Sequence, residues 1–214
     1  MKILVLHLSL LFLSFSINAK QVFLGPSNNS QEEIQEALID LEPGDILTLK
    51  PGEYFFEDGL SLDIDDVIFE GSGIDETILN FENQMSGAQG LLVTSNGVTI
   101  RDFAVLDAKG DAIKVIGADG IKMIRLRTEW TGGPKETNGA YGFYPVESKD
   151  VLIDGCVAIG ASDAGIYVGQ SQNIIVKNSI AQYNVAGIEI ENSFYADVFD
   201  NLTCLLYTSP SPRD

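Results

Sequence analysis

The sequence predicts an all-β fold, a right-handed parallel β-helix, and three observations predict it. Short segments recur at a fixed period, with Gly142, Gly165 and Gly187 spaced by 23 and then 22 residues within Tyr141–Val146, Ala164–Val168 and Ala186–Ile190; Asp111–Val115 aligns with them. A second segment follows in each unit, at Val98–Asp102, Met123–Arg125, Val151–Gly155, Ile174–Asn178 and Asp197–Asn201, with Ile153, Val176 and Phe199 each 23 residues apart. Apolar residues alternate with period two in both, which is the signature of strands rather than helices. A repeat of this length is the mark of a solenoid, whose stacked coils bury one face of every strand. The column Asp102, Gly155, Asn178 and Asn201 supplies residue types that tolerate the left-handed backbone a coil needs in order to bend.

The elements follow in chain order. Met1 and Lys2 precede an apolar run from Ile3 to Ile17 that closes on Ala19, so residues 1–19 read as a secretory signal peptide. At ~15 residues the run is shorter than the ~20 that span a bilayer. A secreted or periplasmic location follows, with no membrane association after cleavage. Next, Ser30 and Glu33 have the spacing of a capping box, and Ile34, Ala37, Leu38 and Leu41 recur at helical spacing, which predicts a helix over 30–41 ending at Pro43 and Gly44. This helix is expected to cap the open end of the first coil, since a solenoid needs a polar lid. Asp45–Lys50 is the first expected strand, and the β-helix is expected over residues 20–204. After Cys204 the alternation stops, and residues 205–214, with two prolines, resemble translated sequencing-adapter read-through. They are expected to be a non-native tail that truncates further coils.

The chain carries 31 acidic against 13 basic residues, a formal charge of −18. Nucleic acid is a poor partner for such a surface, and a polyanionic glycan would be repelled unless a cation bridged it or a local basic patch met it. Cys156 and Cys204 fall two coils apart, and ~9.6 Å of coil spacing exceeds the ~7 Å reach of a disulfide. Two free thiols are expected, with Cys156 a small buried apolar residue.

Thr128–Glu147, followed by Asp154–Gly169, resembles an uncharacterised family of secreted bacterial proteins with parallel β-helix repeats, and the resemblance covers roughly residues 20–204. More distantly, the chain is similar to the pectin-lyase-like β-helix group, which includes pectate lyases, NosD-like copper-maturation proteins and mannuronan C5-epimerases. That resemblance implies a carbohydrate-active scaffold. The epimerases carry a Tyr-Gly-Phe-Asp-Pro-His segment at their active site; here it reads Tyr141 to Val146, with Tyr144 in place of the aspartate and Val146 in place of the histidine. Valine cannot move a proton. An enzyme of lyase or epimerase type would have to rely on Tyr141 as acid, Lys114 to neutralise a uronate carboxylate, and a carboxylate such as Asp163 or Glu189.

Alternation places the same residues physically. If Ile113, Phe143, Ile166 and Ile188 point inward, Lys114, Tyr144, Tyr167 and Glu189 form an outward ladder ~4.8 Å apart. Tyr144 and Tyr167, flanked by Glu147 and Glu191 and overhung by Trp130 on the long 128–140 loop, would make a stacking platform for sugar rings. Tyrosine also suits any solvent-facing strand. No cofactor is expected: Asp58, Asp63, Asp65 and Asp66 crowd one stretch, but no glycine-spaced loop offers the roughly six to eight oxygens calcium takes, and a solvated acidic edge is the stronger reading. Asp107, Asp111 and Asp163 precede strands, where carboxylates cap backbone amides; a metal-bridged uronate is the weaker alternative there. Three function classes stay open: glycan binding on the outward face, lyase or epimerase chemistry there, and a structural or protein-partner module like NosD.

Overall fold

The computed structural model describes residues 19–207. The expected leader lies outside that range except for Ala19, and so does most of the expected tail. Three parallel sheets run the length of the solenoid: eight strands in sheet A, from Gln21–Leu24 and Ile46–Leu49 to Phe194–Phe199, seven in sheet B, and six in sheet C, at Leu60–Leu62, Gln89–Val93, Asp111–Ile116, Phe143–Val146, Ala164–Gly169 and Ala186–Glu191. Each coil passes from A to B to C. The sequence suggested two strands per coil, and the third is sheet B: Gly52–Phe55, Thr77–Asn80, Ala104–Leu106, Arg127–Glu129, Val157–Ile159, Ile180–Gln182 and Leu202–Cys204. Most of these strands are three residues long and stand close behind the sheet A strand of the same coil, so their alternation is too short to separate from it.

The bend from A to B is made by one left-handed column: Asp102 at φ 62°, Arg125 at 47°, Gly155 at 65°, Asn178 at 53° and Asp200 at 55°. The last position corrects the expected Asn201. Strand pairing sets Val198 opposite Val176 and Phe199 opposite Lys177, so this coil is one residue shorter than the one before and Phe199 faces outward. A one-residue slip exchanges the faces of a whole strand. Asn201 instead ties two coils together, accepting the Ser179 amide at 2.9 Å and donating to the Val176 carbonyl at 2.8 Å.

At the other end, a strand that the repeat does not announce, Gln21–Leu24, pairs with Ile46–Leu49 and precedes the helix Ser30–Ile39. The capping box does not form. Ser30 Oγ accepts the Ser27 amide at 2.9 Å and donates to the Ser27 carbonyl at 2.8 Å, while the Glu33 carboxylate accepts the Ser27 hydroxyl. The helix ends at Ile39, two residues short of the expected 41; its Ile34 and Leu38 join the core together with Leu41 just beyond it, so the helix closes the first coil as a lid.

Inward residues form continuous columns, with Leu91, Ile113, Phe143 and Ile166 fully buried in sheet C and Phe56 stacked on Phe81 at 4.8 Å. The glycine that recurs at the start of the sheet C strands, with Ala112 in its place in Asp111–Ile116, is a matter of space. A Cβ on Gly142 would stand 2.5 Å from both the Gly165 carbonyl oxygen and Thr128 Oγ1. Gly142→Ala is therefore expected to destabilise the fold by about 1–3 kcal/mol, read as a lowered urea midpoint with an unchanged slope.

Serine hydroxyls, buried at Ser148 and Ser171 and half-buried at Ser193, close the C-to-A corner. The amides of Ala118, Ser148 and Ser171 donate to the Oγ of Ser148, Ser171 and Ser193 on the next coil at 3.3, 3.0 and 3.0 Å. At the B-to-C corner Asn184 does the same work, accepting the Ala161 amide and donating to the Ala158 carbonyl. Both cysteines are free; Cys156 is fully buried, and burial pushes its thiol up to about 12. Past Cys204, the Tyr207 amide still bonds to the Asn184 carbonyl of the coil beneath at 3.1 Å.

Candidate functional site

The outward face of sheet C gathers most of the residues singled out above. Register places Lys114 beside Tyr144 and Tyr167 beside Glu189, and the Phe143–Ile166 pair brings Tyr144 next to Tyr167. Their side chains leave the sheet on the same side because strand residues alternate. Tyr141 joins them from the end of the B-to-C loop. Its ring centroid lies 4.6 Å from both Tyr144 and Tyr167, and those two are 5.2 Å apart. The planes are inclined at 53°, 32° and 81°, so the expected flat pair is a three-ring cluster with edge and face contacts.

Each ring is held by a neighbour. Tyr167 lies over Gly169, where a Cβ would stand 2.7 Å from its Cε1, and its hydroxyl donates to Glu191 Oε2 at 2.5 Å. Lys114 Nζ sits 4.5 Å from the centre of the Tyr144 ring and 3.7 Å from the Asp111 carboxylate. Burial, then the adjacent Asp163 carboxylate, pushes the Tyr141 hydroxyl up to about 12. Tyr144 is raised by burial and by Asp111, and Tyr167 by its bond to Glu191. All three are proton donors at neutral pH. Glu189 is raised above the ordinary carboxylate range by burial and by Asp163 and Glu191, and burial raises Asp111 as well.

Raised carboxylates hold protons in the folded state that the unfolded chain has released, so their effect on stability favours low pH and is lost as pH rises through the folded value. Relief of repulsion in a chain of charge −18 acts in the same direction. The melting temperature is expected to rise as pH falls from 7 into the upper part of the carboxylate range. It should fall again in stronger acid, where Asp45, lowered by hydrogen bonds from the Lys20 and Glu42 amides, loses its charge. A scan of melting temperature against pH reads both limbs.

The remaining candidates lie elsewhere. Trp130 does not overhang the face: it is 5% exposed, belongs to the core, and its indole donates to the Ala108 carbonyl at 2.7 Å. An indole beside a cluster of loop glycines reads as free in sequence, but its large apolar area is buried by the coil beneath. Glu147 occupies the C-to-A corner at φ 52°, exposed beside the ladder rather than on it. Asp107 binds the start of the long loop, accepting the Thr131 amide and hydroxyl at 2.8 and 2.6 Å. Asp63 and Asp65 accept hydrogen bonds from Thr94 and Asn96 of the next coil, and Asp58 accepts the Ser86 hydroxyl. Among the described residues no three His, Cys, Asp or Glu side chains converge to hold a metal ion. Gly169, which gives Tyr167 its seat, is a site residue that periodicity alone does not single out; its signal is a glycine two residues after an outward tyrosine and directly opposite Glu191.

Known proteins share this architecture. The catalytic domain of a GH87 alpha-1,3-glucanase superposes with a TM-score of 0.60 at 17% identity, covering 87% of this chain and 39% of that one. The PL6 family alginate lyase AlyGC gives 0.54 at 16% identity, over 83% of this chain and 29% of that one. An alginate lyase from Paenibacillus sp. str. FPU-7 gives 0.52 at 14% identity, over 86% and 76%. Likeness at these identities is likeness of fold. No curated protein matches the chain. Residues 65–203 match the family described as the right handed beta helix region, most of the solenoid and more than half of the chain. With its parallel coils and this match, the chain belongs to the right handed beta helix family.

Proposed function

We propose that the outward face of sheet C binds a polysaccharide, with the chain laid across successive coils and its sugar rings resting on the tyrosine cluster. The observation that carries this reading is the meeting of Tyr141, Tyr144 and Tyr167 on one exposed face, with ring centres 4.6 to 5.2 Å apart and carboxylates at the rim. Aromatic rings offer apolar faces to the C–H side of a sugar, while Glu189, Glu191 and Asp163 offer acceptors to its hydroxyls. That glycan-active proteins share the scaffold supports the reading by analogy of fold. Secretion, read from residues 1–19, would place the protein where such polymers occur.

Binding is the core of the proposal, and turnover is a second step with fewer groups to serve it. Tyr141, protonated at neutral pH, suits a proton donor, and Asp163 stands beside it. Lys114, the cation that an elimination or epimerisation would need at a uronate, already faces Asp111. Titration calorimetry against a panel of polysaccharides, with product analysis by reducing-end assay and absorbance near the ultraviolet band of unsaturated ends, tests both steps. Tyr144→Ala is expected to weaken binding about tenfold, the loss of roughly 1.4 kcal/mol, with the melting temperature nearly unchanged. Absence of binding to every polysaccharide would overturn the proposal in favour of a protein-partner module.

A further inference from the structure

From the charges around the tyrosine cluster we infer that the site selects an uncharged glycan and rejects polyuronates; this rests on the glycan-binding reading above. The six strands of sheet C contain one basic side chain, Lys114, against three acidic ones, Asp111, Glu189 and Glu191. Asp163 adds a fourth carboxylate beside Tyr141, and Glu147 a fifth at the rim. The single cation is already committed, with its Nζ 3.7 Å from Asp111 and lying over the Tyr144 ring.

A polyuronate presents one carboxylate per sugar. Laid on this face, it would bring its charges against carboxylates that already crowd one another, with no free guanidinium or ammonium among the sheet C strands to meet them. Glu189 stands among them: burial first, and then its neighbours Asp163 and Glu191, oppose its ionisation. Stacking on tyrosine, in contrast, does not depend on substrate charge, and a neutral sugar's hydroxyls are donors well matched to carboxylate acceptors. The same arrangement therefore attracts the ring and repels the uronate group. The net charge of −18 extends the repulsion beyond the site at low salt.

The test compares polymers with the same backbone and different charge: polymannuronate against its carboxyl-reduced form, and pectate against fully methyl-esterified pectin, each measured by calorimetry with the full chain. Every pair is run in chelator and in calcium, at low ionic strength and at ~1 M salt, where the screening length falls to ~3 Å. The uncharged member of at least one pair is expected to bind ten times or more tightly than its charged partner at low salt, with the gap narrowing at high salt. Glu189→Gln combined with Glu191→Gln should narrow it at low salt as well, because each amide keeps one acceptor oxygen and removes the charge. Equal or tighter binding of the polyuronate, with or without calcium, would overturn the inference while leaving the glycan-binding reading intact. No binding of either member, or of any neutral polysaccharide in the panel, would remove both.

Discussion

Asn184→Ala is expected to lower stability by about 2–4 kcal/mol, a large loss for one polar side chain. The side chain is fully buried, accepts the Ala161 amide at 2.8 Å and donates to the Ala158 carbonyl at 3.1 Å. Both partners are buried backbone groups on the preceding coil. Alanine leaves the Ala161 amide unpaired, at about 1–3 kcal/mol, and removes a further hydrogen bond from the Ala158 carbonyl, which the strand ladder also serves, at about 1 kcal/mol. Asn184→Asp separates hydrogen bonding from shape: it keeps the acceptor but turns the donor into a carboxylate facing a carbonyl, so it should be as damaging at neutral pH and recover in acid as the carboxyl protonates. Denaturant melts of the three proteins at two pH values measure this. A loss below about 1 kcal/mol would mean that solvent reaches the corner and satisfies the freed groups.

Tyr167→Ala is expected to weaken glycan binding by ten- to a hundredfold, about 1.4–2.8 kcal/mol, the largest loss among the three tyrosines. Tyr167 touches both other rings and lies over Gly169, so its removal opens the cluster as well as deleting a stacking surface. Tyr167→Phe keeps the ring and drops the bond to Glu191. It should retain most of the affinity if stacking dominates, and lose as much as alanine if the ring's seat depends on that bond. Because Tyr167 is only half-buried, the melting temperature of either variant should change little, which separates a binding defect from unfolding. Unchanged affinity in Tyr167→Ala would place the binding surface elsewhere.

Much of this architecture is legible from periodicity. A repeat of 22 to 23 residues with alternating apolar positions leaves few folds open, and the period-two rule of a strand assigns faces without any tertiary information. The ladder of Lys114, Tyr144, Tyr167 and Glu189 can be named for that reason, and register confirms its alignment. The helix over the first coil is visible in Ile34 and Leu38. The matching glycines are visible too, although not their cause, which is the Gly165 carbonyl pressing against Gly142.

What escapes the sequence depends on contacts between coils. Sheet B is hidden because its strands are too short to show a period, and the slip at Phe199 because a single deletion leaves the local pattern apolar on both faces. Trp130 is misplaced because composition describes a loop's freedom but not what lies beneath it. The tilt of the three rings, the commitment of Lys114 to Asp111 and the bond from Tyr167 to Glu191 arise between side chains packed on or across coils. The solenoid and its outward set of residues are thus properties of the linear chain, since both follow from periods along it. Which outward groups meet, and which of their charges remain free, is a property of the packed coils, since it follows from distances of a few ångströms that no period records.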